Sequence, residues 1–224
     1  MLSDVQIERY SRQLILTEVG GRGQQALLSG RVAVFGTEQA STATALYLAA
    51  AGVGTLHVPA PAAHAAADLN PDVQLVDRGA VDRPEALDAL LGGCDVALCA
   101  NAAPALCLAV NTAAIRHAIP LVCAGAEGAV AWVVVFAGHD PRWACYRCAQ
   151  PDLPASPAAT PDGVVAMAAG LAGTLAATAA TAVLLRRAGT SVSRLTVHAL
   201  CEATVRAADV AKNPTCSACA TEQP

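Results

Sequence analysis

The sequence has 224 residues, a formal net charge of −4, and 54% hydrophobic but only 3% aromatic residues. This length is enough for one sizeable domain or two small ones, and the core must be built mainly from Ala, Val and Leu. The single lysine, Lys212, and the lack of a basic stripe argue against nucleic acid as a main partner. Residues 1–12 are polar and charged, without the apolar stretch of a signal peptide, so we expect a cytoplasmic protein.

The N-terminal part of the chain predicts alternating helices and strands. Residues 4–28 have apolar side chains at helical spacing, and Gly20-Gly21 is expected to break the run. A buried strand over residues 31–36, a helix over residues 41–51 and a second strand over residues 55–58 follow. This order of strand, turn, helix and strand is typical of the start of a doubly wound sheet.

The rest of the chain continues this alternation. The predicted elements are a Pro/Ala linker at 59–67, strands at 73–76, 96–99 and 121–124, helices at 84–91 and 105–117, an antiparallel strand at 130–136, a Pro-rich loop at 150–162, and a hairpin of residues 194–200 and 204–209. We therefore predict an α/β fold with a Rossmann-like doubly wound sheet, mainly parallel, that carries an antiparallel extension. The three predicted regions are an N-terminal helical arm (1–30), a Rossmann-like region (31–140) and a C-terminal region with a long helix and the hairpin (141–224).

Residues 164–185 form an uncharged stretch that is long enough to cross a bilayer. Most of the stretch is Ala, Gly and Thr, and aromatic belts are missing, so a helix buried in a core or in a subunit interface is favoured over a membrane span. The small residues Gly170, Gly173 and Ala177 would allow another element to approach closely.

Two Cys-x-x-Cys pairs, Cys145/Cys148 and Cys216/Cys219, flank residues 149–215. Such pairs can place four thiolates around one tetrahedral zinc, here a structural zinc that would staple the chain's end to its middle. A redox Cys-x-x-Cys or two disulfides remain the alternatives. The other five cysteines stand among apolar residues and are predicted to be buried thiols in a reducing cytosol: Cys94, Cys99, Cys107, Cys123 and Cys201.

Several motifs together resemble the ThiF/MoeB/HesA family, whose members are related to ubiquitin-activating enzymes. The motifs are Arg9-Tyr10-Ser11-Arg12-Gln13, Leu48 to Gly52-Val53-Gly54, Pro120 to Gly125, Gly128 to Val135, Gly163 to Gly173, and the two cysteine pairs with Asn213-Pro214 before the second. The resemblance covers nearly the whole chain. It implies ATP-dependent adenylation of the C-terminal glycine of a ubiquitin-like or sulfur-carrier protein.

The chain departs from the family pattern where ATP and Mg²⁺ would bind. Of the family's glycine-rich turn only Gly36 remains, and Glu38 places a negative charge where phosphate would lie. Ala60 stands at the position of the ribose carboxylate and Ala102 at that of the magnesium aspartate. The segment with the phosphate-binding Arg and Lys is missing, and the thiol that some relatives use would fall near Ala159. The resemblance therefore identifies a degenerate member, for which ATP and Mg²⁺ binding is not expected and no catalytic residue is assigned.

Arg12 and Gly36 are the residues that the resemblance still assigns to nucleotide binding. In the family the arginine at the position of Arg12 reaches the ATP phosphates of the partner subunit; alternatively, Arg12 is a surface residue paired with Glu8. Arg9 is expected to be structural. The leading hypothesis is a zinc-stabilised scaffold that forms a homodimer, or a heterodimer with an active paralogue, and holds a ubiquitin-like or sulfur-carrier tail. The alternatives are an active adenylyltransferase, a dinucleotide-binding oxidoreductase and, least favoured, a nucleic-acid-binding zinc protein.

Overall fold

The computed structural model describes residues 1–36, 38–79, 81, 83–151, 153–154 and 163–220. Among them the helices are α1 (Asp4–Arg9), α2 (Ser11–Leu14), α3 (Gly20–Ser29), α4 (Glu38–Ala51), α5 (Ala60–Ala66), α6 (Pro84–Leu91), α7 (Pro104–Arg116), α8 (Tyr146–Ala149) and α9 (Ala166–Leu184). The strands are β1 (Arg31–Gly36), β2 (Thr55–Val58), β3 (Gln74–Asp77), β4 (Val96–Ala100), β5 (Leu121–Glu127), β6 (Val130–Phe136), β7 (Arg194–Ala199) and β8 (Thr204–Asp209).

The eight strands form one sheet in the order β3-β2-β1-β4-β5-β6-β7-β8. The first five of these strands are parallel to one another, and β6, β7 and β8 continue the sheet from β5 in antiparallel fashion. The predicted fold class, a mainly parallel Rossmann-like sheet with an antiparallel extension, is confirmed. Because β6 pairs with β7, the sheet continues from the predicted Rossmann-like region into the C-terminal hairpin.

Helices cover both faces of the parallel strands. All five residues of β4 are buried, as expected for a parallel strand covered on both sides. One core cluster contains residues of α4, α5 and α9, and the other contains residues of α6, α7 and α8. Both are rich in Ala, Val and Leu, which agrees with the low aromatic content of the sequence.

Two local predictions are wrong. Residues 4–28 are helical as expected but form three helices, and Gly20-Gly21 begins α3 instead of breaking the run. The predicted linker at 59–67 contains α5: Pro59 is its N-cap, Pro61 lies in its first turn, and alanine has the highest helix propensity. Most of the predicted loop at 150–162 lies outside the described residues, as does the position near Ala159.

Helix α9 has the length and apolar composition of a membrane span, with a mean hydropathy of 1.6. In this fold it packs along β4, β5, β6 and α4, and its buried side is mostly alanine. A Cβ on Gly173 would lie 2.4 Å from the carbonyl oxygen of Ala40 in α4, so the predicted close approach is confirmed at this glycine. A Cβ on Gly170 would have no atom of the described residues within 4 Å, so within this chain the close approach is seen at Gly173 and not at Gly170.

Candidate functional site

The four predicted zinc ligands come together although about 70 residues separate the two pairs. The Sγ–Sγ distances are 3.9 Å for Cys145 to Cys148, 3.7 Å for Cys145 to Cys216 and 3.5 Å for Cys148 to Cys219. All four sulfurs lie within 4.8 Å of one another. With Zn–S bonds of about 2.3 Å, tetrahedral geometry places sulfurs about 3.8 Å apart. The four-cysteine cluster therefore fits a tetrahedral Zn²⁺.

Local backbone structure turns each pair of thiols inward. Cys145 is the N-cap of α8, so the short helix brings Cys148 back toward it. The backbone N–H of Asn213 donates to the Cys148 sulfur at 3.5 Å. Burial raises the pKa of Cys216, but backbone N–H groups and the neighbouring thiols outweigh this effect and lower its pKa to about 7. Such donors stabilise thiolates, the form of cysteine that binds a metal.

A second feature lies at the carboxyl ends of the parallel strands, where β1 and β4 are neighbours. In doubly wound sheets the ligand-binding crevice lies at such a point, where the order of the strands reverses. Gly36 ends β1 there with φ +141°, and a Cβ on it would lie 1.7 Å from the carbonyl oxygen of Ala100. Glycine is therefore required at this position because any side chain would collide with the backbone of β4. Ala60 opens α5 just after β2, and Ala102, after β4, is 6% exposed.

Arg78 is a cation at this edge that sequence reasoning did not assign. It follows β3, its Nε donates to the carbonyl oxygen of Val34 at 2.8 Å, and its guanidinium lies 5.0 Å from the centre of the Phe35 ring. Burial lowers the pKa of Arg78 somewhat, although Asp77 opposes the shift. Its place directly after a strand was the available signal, since residues after parallel strands gather at one edge.

The N-terminal arm is held to the sheet by a network around Asp72. Its carboxylate accepts from Arg9 at 2.5 Å and from the Tyr10 hydroxyl at 3.0 Å, and Asn70 donates to that hydroxyl at 2.9 Å. Burial opposes the charged carboxylate, but these hydrogen bonds keep the pKa of Asp72 below its usual value. Tyr10 is 1% exposed and packs against Gly52, whose φ of +81° and lack of a side chain make room for the ring.

Gly36 lies at the crevice, at the end of β1, whereas Arg12 belongs to the N-terminal arm. Arg12 lies in α2 on the exposed side of the arm, and the ion pairs of the described residues include none between Arg12 and Glu8. Arg9, in contrast, has the structural contact expected of it. Among the cysteines predicted to be buried thiols, Cys94, Cys99, Cys107 and Cys123 are buried, and the prediction for the exposed Cys201 is wrong.

The strand order and the four-cysteine cluster define a Rossmann-like α/β protein whose C-terminal segment returns to its middle. The model of the ThiF family matches residues 60–218. The chain belongs to the ThiF family.

Two relatives show the extent of this similarity. The SAMP-activating enzyme E1 of Haloferax volcanii is 31% identical over 252 aligned residues, which cover 97% of this chain and 90% of that protein. The sulfur carrier protein ThiS adenylyltransferase of Escherichia coli is 32% identical over 179 residues, covering 67% of this chain and 70% of that protein. The crystal structure of Escherichia coli MccB with ATP has the same fold, with a TM-score of 0.75 at 16% identity over 94% of this chain and 74% of MccB.

Proposed function

We propose that the chain binds the C-terminal tail of a ubiquitin-like or sulfur-carrier protein without adenylating it, as a zinc-stabilised scaffold or partner subunit. The similarity to a SAMP-activating enzyme and to a ThiS adenylyltransferase supports the class of partner. The similarity to the molybdopterin-synthase adenylyltransferase of Escherichia coli, 27% identical over 97% of this chain and 98% of that protein, points in the same direction.

The composition of the crevice beside β1 and β4 carries the proposal that adenylation is lost. Gly36 is followed by Thr37 and Glu38 instead of further glycines. Alanine stands at both positions to which the family resemblance assigns an acid, Ala60 after β2 and Ala102 after β4. Neither methyl group can hold a ribose hydroxyl or Mg²⁺.

The missing electrostatic contacts should lower the rate of adenylation strongly. A Mg²⁺-bound triphosphate retains net negative charge, and removing one preorganised transition-state contact commonly costs about 2.7–4 kcal/mol, or a factor of about 10²–10³ in rate. Two acids and most of the glycine-rich turn are missing together. Arg78 compensates poorly, because its guanidinium already donates to the carbonyl oxygens of Val34 and Gly79.

Dimer formation is the second part of the proposal. The N-terminal arm exposes apolar side chains, including Ile15 at 81%, and Met167 at the start of α9 is 67% exposed. A partner subunit that covers them would bury apolar area at about 25 cal/mol per Å². Arg12 lies on the same exposed arm, so we propose that its charge serves the partner's site, in a homodimer or in a heterodimer with an active paralogue.

We also propose that the four-cysteine cluster holds a structural Zn²⁺ in a cytoplasmic protein. The cluster presents four sulfurs and leaves no coordination position for a substrate, as in structural zinc sites. All nine cysteines are free thiols, which suits a reducing compartment. Bound zinc would fix the chain segment after β8 against α8.

Two measurements on the zinc-loaded chain test the proposal. ATP–pyrophosphate exchange is measured with candidate carrier proteins that end in Gly-Gly, and carrier binding is measured separately by titration calorimetry. We expect binding that disappears when the Gly-Gly end is removed, and no exchange above background. Robust exchange would refute the loss of adenylation, whereas lack of binding to any carrier would refute the proposed partner class.

An active adenylyltransferase is the second candidate, in which two arginines would supply the positive charge for the phosphates, one of them from the partner subunit. Arg78 lies at the crevice, and Arg12 is exposed on the arm. If the chain adenylates a carrier in this way, exchange activity should be measurable and should be lost in Arg12→Ala. The same assay therefore separates the two candidates.

A further inference from the structure

Three further cysteines meet on the face of the sheet covered by α7. Cys99 in β4 and Cys123 in β5 are direct partners in the strand register, and Cys107 lies in the helix above them. Their sulfurs all lie within 4.8 Å of one another, and the three residues are 1%, 1% and 4% exposed, respectively. We call Cys99, Cys107 and Cys123 the thiol triad. It shares no residue with the four-cysteine cluster.

We propose that the thiol triad binds one Cu(I) ion in three-coordinate geometry. Thiolates are soft ligands that select Cu(I), whereas a structural Zn²⁺ site takes four ligands. The triad offers three sulfurs. Among the described residues, no further His, Cys, Asp or Glu side chain lies close enough to be a fourth ligand. On binding, the thiol protons leave to solvent, and no electron is transferred.

The surroundings can stabilise the negative charge of a metal thiolate. Cys107 lies in the first turns of α7, near the positive end of the helix dipole, and the Tyr146 side chain lines the same small cavity. On the other side, the Arg78 guanidinium lies 5.0 Å from the centre of the Phe35 ring, and Phe35 is the strand partner of Cys99. A buried thiolate needs such positive surroundings, because burial disfavours its charged form.

A small cavity beside the thiol triad would let a ligand reach the sulfurs and limits the size of that ligand. The cavity has a volume of about 130 Å³ and is lined by Cys107, Cys123, Trp132 and Tyr146, among others. The indole Nε1 of Trp132 is buried and has no hydrogen-bond partner among the described residues, so it is a donor available to a thiolate sulfur. A space of this size admits a metal ion more readily than a metabolite, which favours a metal over a substrate thiol.

The test uses the full zinc-loaded chain, reduced and kept under anaerobic conditions. Cu(I) is supplied in competition with the chelator bicinchoninate, and retained copper and zinc are both measured by mass spectrometry after desalting. We expect one copper per chain with zinc unchanged. The Cys107→Ala variant should lose the copper, and Cys94→Ala, which removes a buried thiol outside the triad, should keep it.

The outcomes are decisive in either direction. No copper retained against the chelator, copper gained only as zinc is lost, or equal retention by Cys107→Ala would overturn the proposal. The zinc content and far-ultraviolet circular dichroism of Cys107→Ala report whether the variant folds. If it does not fold, X-ray absorption of the copper-loaded natural chain decides, because three sulfur ligands are expected and two or four would contradict the site.

Discussion

Substitution of Tyr10 by Phe tests how the N-terminal arm is held to the sheet. The change removes one hydroxyl group and leaves the ring that packs against Gly52. That hydroxyl donates to the Asp72 carboxylate at 3.0 Å and accepts from Asn70 at 2.9 Å. Both contacts span about 60 residues of sequence, so they join the arm to the segment before β3.

The expected loss follows from the charge of the acceptor. A hydrogen bond to a charged group contributes about 1.5–3 kcal/mol to stability. Asn70 keeps its bond to the carbonyl oxygen of Ala49, and Asp72 keeps Arg9, so no buried group is left without a partner. We therefore expect Tyr10→Phe to lower the free energy of unfolding by about 1.5–3 kcal/mol at neutral pH.

Urea denaturation of the zinc-loaded protein measures this change. With a slope of about 2 kcal/mol per M urea, the midpoint should fall by roughly 1 M while the slope stays constant. The matched control is Tyr47→Phe, because Tyr47 is 56% exposed and its substitution should change stability by less than about 0.5 kcal/mol. If both variants behave alike, the hydroxyl does not hold the arm and the network around Asp72 is not important for docking.

Three further expectations concern α9 and the four-cysteine cluster. Gly173→Ala should lower the melting temperature, because its Cβ would meet the backbone of Ala40 at 2.4 Å, whereas Gly170→Ala in the same helix should raise stability by about 0.5–1 kcal/mol; the opposite order would contradict the α4–α9 contact. Cys216→Ser should abolish zinc retention measured by metal analysis, and full zinc content in this variant would refute the assigned ligand. Zinc release to a colorimetric chelator should increase as the pH falls from about 8 to about 6, because protons compete for thiolates such as Cys216, whose pKa is about 7; a release rate independent of pH would exclude this competition.

The sequence predicts those parts of the fold in which local signals agree. The β-branched run of β6 and the hairpin of β7 and β8 follow from residue type and alternation, and their bounds agree with the structure to within a residue. Residues 59–67 contain two prolines, which indicate a linker when counted as breakers. In the structure they stand at the start of α5, where proline is favoured. Whether a proline breaks or begins a helix therefore depends on its position in the helix.

Of the sites, too, only those with a distinctive local pattern could be predicted from the sequence. The four-cysteine cluster could be predicted because its spacing is distinctive, and the structure brings the four sulfurs together. The thiol triad could not, because it depends on Cys99 lying opposite Cys123 in the strand register, and register is set by the whole sheet. The contact between Tyr10 and Asp72 likewise depends on tertiary structure, since neither residue type nor spacing marks the pair.

Direct binding of Mg-ATP to the zinc-loaded chain tests the central claim, that the crevice beside β1 and β4 no longer holds a triphosphate. Titration calorimetry should show no saturable binding up to about 1 mM nucleotide, a concentration at which even a site of about −4 kcal/mol would be half filled. Saturable binding of one Mg-ATP per chain, lost on substitution of Arg78 by Ala, would contradict the account.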